Sequence, residues 1–134
     1  MEQKFLCITR KELFYVAVML HIKRLVNVVY DFPADEMKFD KELNEAKASL
    51  RKKALLVESA REGVSLDFAV SACAAFCSEP ESCEVVDKNG YYATLYHAAN
   101  IYMLLEKRSD NDLAAAWFID KGNLDRYIET QTKA

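Results

Sequence analysis

The chain has 134 residues, of which 51% are hydrophobic and 29% charged, with only 3 Gly, 2 Pro and a formal net charge of -3. That length supports one domain with a core of its own, and so little Gly and Pro excludes a long flexible linker or a disordered chain. Residues 1 to 66 hold 12 Lys and Arg against 10 Asp and Glu, and residues 67 to 134 hold 6 against 11, so any surface for an anion has to come from the first half.

The opening "MEQKFLCITRKE" is charged within its first residues and lacks the pattern of a signal peptide, which predicts a soluble cytoplasmic protein. The longest apolar run, "LFYVAVML" at residues 13 to 20, is too short to cross a bilayer, and no membrane association is expected. Cys7, Cys73, Cys77 and Cys83, with one of the two histidines, can be drawn as a zinc set. No CxxC pair supports it, and Cys73 and Cys77 fall one helical turn apart in an apolar segment where free Cys packs as a small hydrophobe. No metal or cofactor is expected.

In chain order, "TRKELFYVAVMLHIKRLVN" predicts a core helix over residues 9 to 27 with Thr9 as its N-cap. His21, just past the apolar run, is given no role. Residues 28 to 40 carry Asp31, Pro33 and Asp35 and read as a connection, with a short strand at 26 to 30 as an alternative. A second helix, residues 38 to 54, follows from the stripe Phe39, Leu43, Ala46, Leu50 and Ala54. "ALLVESA", "REG" and "VSLD" then form a small hairpin turning at Gly63, and Asp67 caps a third helix over 67 to 78, before Pro80.

The rest is rich in aromatic and β-branched residues between Asn89-Gly90 and Ser109 to Asp112, which predicts an antiparallel meander with strands near 83 to 87, 91 to 97, 101 to 107 and 113 to 119. Within it, residues 93 to 106 also fit one helical face, through Leu95, Ala99 and Tyr102. "GNLDRYIETQ" ends the chain with a helix capped by Asn123. The fold class is therefore α+β, in one domain: a helical half over residues 1 to 80, then the meander and a C-terminal helix.

His21 and His97 are the only bases that titrate near neutrality, and neither lies in a motif that activates a nucleophile. No phosphate loop, dinucleotide fingerprint, HExxH or GxSxG occurs, and Asp110 and Asp112 lack the Gly and Glu of a calcium loop. The chain is not expected to be an enzyme. Tyr91, Tyr92, Tyr96, Tyr102 and Trp117 form an aromatic set that a nucleic-acid reader would stack on bases. The acidic second half repels phosphate, so these five are expected to pack on helices or to receive an apolar segment of a protein partner.

Helix, helix and hairpin over residues 9 to 66 look like a winged-helix unit, with the second helix in the recognition position and "VESAREGVS" as the wing. A DNA-binding regulator is thus the alternative, using Lys41, Asn44, Lys47, Arg51, Lys52 and Lys53. Glu42, Glu45, Glu58 and Glu62 stand among those cations and undercut a phosphate surface, so nucleic acid is disfavoured.

Across the chain, "ITRKELFYVAVML", then "LNEAKASLRKKALLVESAREGVSLDFAVSACAAFCSEPE", the tyrosine-rich meander and "NLDRYIETQ" resemble the EspG-like family of cytoplasmic proteins associated with type VII secretion. The resemblance rests on element order and apolar pattern, and this chain has Ala54 where the family often has Gly. It implies a chaperone or accessory protein that shields a secretion substrate. No binding residue follows from it.

Overall fold

The structure, a computed structural model, describes residues 5–30, 33–61 and 63–133. Asp31 and Glu62 lie outside the described residues. The first element of the described residues is a strand absent from the sequence reading, β1 (Leu6–Thr9), which runs into α1 (Arg10–Met19). Thr9 is both the last strand residue and the helix N-cap. Its hydroxyl accepts from the Glu12 amide at 3.1 Å while its own amide donates to the Glu12 carboxylate at 2.8 Å, a reciprocal pair that satisfies two otherwise orphaned donors.

The predicted helix over 9 to 27 is too long, because α1 stops at Met19. His21 takes a left-handed φ of 57°, and the amides of His21 and Ile22 turn back to the carbonyls of Val18 and Ala17. That is a Schellman closure, which apolar patterning does not register. Residues 26 to 30 are not a strand either. Asn27 is also left-handed at 58°, and its side chain donates to the Thr94 hydroxyl at 2.8 Å instead.

The next helix, α2 (Glu36–Lys52), is capped by Asp35, whose carboxylate accepts from the Lys38 amide at 3.0 Å. Its stripe is as expected through Phe39, Leu43, Ala46 and Leu50, the last two fully buried. Ala54 is not part of it: α2 closes with the Leu55 amide on the Leu50 carbonyl and the Ala54 amide on Arg51, leaving Ala54 exposed at φ 61°. This position favours glycine, and an alanine there hides the end of the helix from a sequence pattern.

The hairpin β2 (Leu56–Ser59) and β3 (Gly63–Leu66) follows, with Leu56 opposite Leu66. Asp67 then caps α3 (Phe68–Ser78), and Val70, Cys73, Ala74 and Cys77 are its buried stripe. The order helix, helix, hairpin stands, and α3 packs back on α1.

The meander is β4 (Ser82–Lys88), β5 (Tyr91–Ala98), β6 (Ile101–Lys107) and β7 (Asp112–Phe118). Residues 93 to 106 are strand and turn. Asn89 and Gly90 turn the first hairpin and Ala99 and Asn100 the second, all four at positive φ, as two-residue turns require. With β1 added beyond β7, the sheet runs β1-β7-β6-β5-β4, antiparallel throughout. The closing helix, α4 (Lys121–Thr132), is capped by Asp120 rather than Asn123. The Asp120 carboxylate accepts from the Gly122 and Asn123 amides at 2.7 and 3.3 Å, so the helix starts two residues before the expected signal.

Apolar packing covers both faces of the sheet. Ile8, Tyr96, Met103, Leu105, Leu113 and Ala115 lie under α1, α2 and α3, while Ala93, Leu104, Ala116 and Phe118 lie under Leu124 of α4. Burial on both sides makes Met103 to Glu106 continuously buried, which is why that run showed no strand alternation in the sequence.

Candidate partner-binding surface

Strand register divides the five aromatics between opposite faces. Tyr92, Tyr96 and Trp117 point toward the three-helix side, and Tyr91 and Tyr102 toward α4. Tyr96 is fully buried, and its hydroxyl donates to the Val26 carbonyl. Burial pushes its phenol well above the usual range, aided by Cys77 beside it, so it stays a neutral donor. Tyr92 and Trp117 are half-buried, and Trp117 packs against the larger core. On the α4 side, the Tyr91 hydroxyl donates to the buried Glu106 carboxylate at 2.5 Å, and Tyr102 stacks on His97 with ring centroids 4.5 Å apart. The five do not form a single contact surface.

The cations of α2 are brought together, but largely with carboxylates. Lys47 and Arg51 both pair with Glu58 of the hairpin, the latter at 2.7 Å, and the hydrogen bond from Lys47, with the charges of both cations, holds the Glu58 carboxyl below its usual range. Lys53 reaches the buried Glu12 at 2.6 Å. Lys41 and Asn44 are exposed on an outer face shared with Met37, Asp40 and Glu45, and Lys52 is exposed at the helix end. Glu45 in turn is bound by Lys11 at 2.8 Å, which lowers its carboxyl as well. Three of the six candidate DNA contacts are therefore held inside the protein's own ion pairs.

A more open surface lies at the other edge of the sheet. Among the described residues, β4 is hydrogen-bonded to β5 alone, and six of its seven residues are exposed, Val86 being half-buried. One side of its backbone thus presents a row of unpaired amides and carbonyls. Beside it, α4 leaves a groove of about 440 Å³. Leu95, Val86 and Ile128 supply its apolar lining, the His97 and Tyr102 rings its end, and Glu84, Lys121 and Asp125 its charged rim.

α4 is anchored over the middle of the sheet and, at its C-terminal end, on the turn that follows β4. Leu124 and Tyr127 sit among Ala93, Ala116 and Phe118, with Tyr127 and Phe118 centroids 5.6 Å apart, and the Thr132 carbonyl accepts from Asn89 at 2.6 Å. The Tyr127 hydroxyl also donates to Glu106 at 2.6 Å.

A second cleft, about 480 Å³, opens at the start of α1 beside Arg10, Asn27, Tyr92 and Lys107. Its cations face protein groups: Arg10 donates to the Asp110 carbonyl at 2.8 Å and Lys107 lies 3.7 Å from the Asp110 carboxylate. His97 stands 3.9 Å from Glu81 at the start of β4. Among the described residues, no group of three or more His, Cys, Asp or Glu is placed to hold a metal ion, and no helix is long and apolar enough to cross a membrane.

The β4 edge escaped sequence reasoning, although the strand itself did not. Glu84, Asp87 and Lys88 were its one signal, since charges along a short strand mark an edge rather than a sheet centre. Compared with protein-family models and with curated proteins, the chain matches none.

Proposed function

We propose that the chain is a non-enzymatic protein-binding module that receives an extended segment of a partner protein along β4. The carrying observation is the exposed, singly paired β4 next to the groove under α4. A peptide added there completes backbone hydrogen bonds, and alternate side chains reach the apolar lining at Leu95, Val86 and Ile128. Tyr102 is the one member of the predicted aromatic set that lines this groove. The resemblance to type VII secretion proteins makes a cytoplasmic secretion substrate the first partner class to test, with the module acting as its chaperone.

The DNA-binding alternative loses support from the pairing of Lys47, Arg51 and Lys53 with Glu58 and Glu12. A photo-crosslinking residue placed at Val85 or Ile128, and separately at Val57 on the exposed hairpin, tests the proposal in host cells. Adducts to one defined protein other than the chain itself, from the first two positions and not the third, are expected. Adducts from Val57 alone, or none from Val85 and Ile128, reject it.

A further inference from the structure

We propose that, before a partner arrives, two copies of this chain close the β4 edge on each other, antiparallel about a two-fold axis perpendicular to the sheet. This rests on the reading of β4 as the interaction edge and names a further occupant for it. Such an axis keeps each face of the sheet continuous, so it must lie midway between the two copies of a β4 residue that sits opposite itself.

Only three positions pair five or more of the residues Ser82 to Lys88. With the axis at Glu84, two carboxylates face each other. At Val85, Glu84 meets Val86, Cys83 meets Asp87 and Ser82 meets Lys88, with no opposite charges directly across. At Val86, the two valines meet on the axis, and Glu84 of each copy stands opposite Lys88 of the other, twice by symmetry. Directly opposed unlike charges stabilise antiparallel pairs and like charges oppose them, so the Val86 register is selected.

The charges are free to serve this purpose. Among the described residues, Glu84 and Lys88 make no ion pair within the chain, in contrast to Lys47, Arg51 and Lys53, which are matched to Glu58 and Glu12. Both are exposed, so exchanging them leaves the core untouched. The joined sheet has ten strands, and the free edges that remain are the short β1 strands.

Sedimentation equilibrium across a concentration series provides the test. The natural chain is expected to show a monomer–dimer equilibrium that weakens with salt. E84K places Lys against Lys88 twice and should raise the dimer dissociation constant about tenfold or more, and E84K/K88E should restore it. D87K, which makes the same change in net charge but faces Val85 in this register, should retain the dimer. A chain that stays monomeric to about 1 mM, or equal effects of E84K and D87K, overturns the proposal. If crosslinks from Val85 to a partner persist in that case, only self-association is rejected; if they are absent too, the partner-binding reading falls with it.

Discussion

Lys53, the residue that caps the end of α2, lies 2.6 Å from the carboxylate of Glu12 in the first turn of α1. The same carboxylate accepts from the Ser49 hydroxyl at 2.5 Å and the Thr9 amide at 2.8 Å, and Glu12 is 1% exposed. One buried acid therefore joins the β1 to α1 junction to α2. Removing it should cost about 2–3 kcal/mol, because Ser49 and the Thr9 amide lose a charged acceptor while Lys53 can return to water. Urea unfolding of E12A against the natural chain measures this.

The pH dependence has a definite sign. Burial by itself would raise the Glu12 carboxyl, but the hydrogen bonds from Lys53, Ser49 and Thr9 outweigh it and hold the group below its usual value of 4.5. The stability it contributes is present above pH 4.5 and is lost as pH falls through the lowered folded value. Between pH 5 and pH 3 the natural chain should lose more unfolding free energy than E12Q, as read from urea midpoints.

Ala54 offers a stabilising substitution. It occupies the left-handed position after α2 at φ 61°, so A54G should raise stability by about 0.5–1 kcal/mol, the relief of strain exceeding the added unfolded-chain entropy. A48G, at an exposed site inside the same helix, should lower it by about 1 kcal/mol. Opposite shifts of the thermal midpoint are the expected result.

Glu106 is buried to 2% exposure, and the Tyr91 and Tyr127 hydroxyls and Arg108 all point donors at it. Y127F removes the link from α4 and should cost about 1–2 kcal/mol. Burial, and then the hydrogen bond each makes to Glu106, push both phenols above their usual value of 10, so their stabilisation is present below pH 10 and declines as pH rises beyond it. The natural chain should lose helical circular dichroism above pH 10 more steeply than Y91F/Y127F.

For DNA, the pairing of Lys47, Arg51 and Lys53 with carboxylates, and the acids beside Lys41, predict no rise in fluorescence anisotropy when labelled random duplex at about 50 mM salt is titrated with the chain. A salt-dependent rise would return Lys41, Asn44, Lys47, Arg51, Lys52 and Lys53 to consideration.

Much of this architecture was legible as local chemistry. Thr9, Asp67, Gly63 and Asn89-Gly90 all cap or turn the chain where side-chain preferences predict, and the four meander strands lie where aromatic and β-branched residues cluster. Helix ends were harder, because α1 and α2 close on His21 and Ala54 rather than glycine. β1 was missed since four residues carry too little periodicity, and its strand character depends on pairing with β7. The site was the least legible part. Tyr91 and Tyr92 are consecutive in a strand and necessarily face opposite ways, a constraint visible in the sequence itself. That β4 would end the sheet, and that Glu58 would reach Lys47 and Arg51, depend on the assembled fold.

Hydrogen exchange of the β4 backbone amides tests the central claim most directly. In dilute chain, alternate amides of Ser82 to Lys88 should exchange rapidly. With the crosslinked partner, purified and added back, they should become protected while β6 and β7 stay as they were. Unchanged β4 exchange, with new protection on α2 or on the β2–β3 hairpin, would contradict the account.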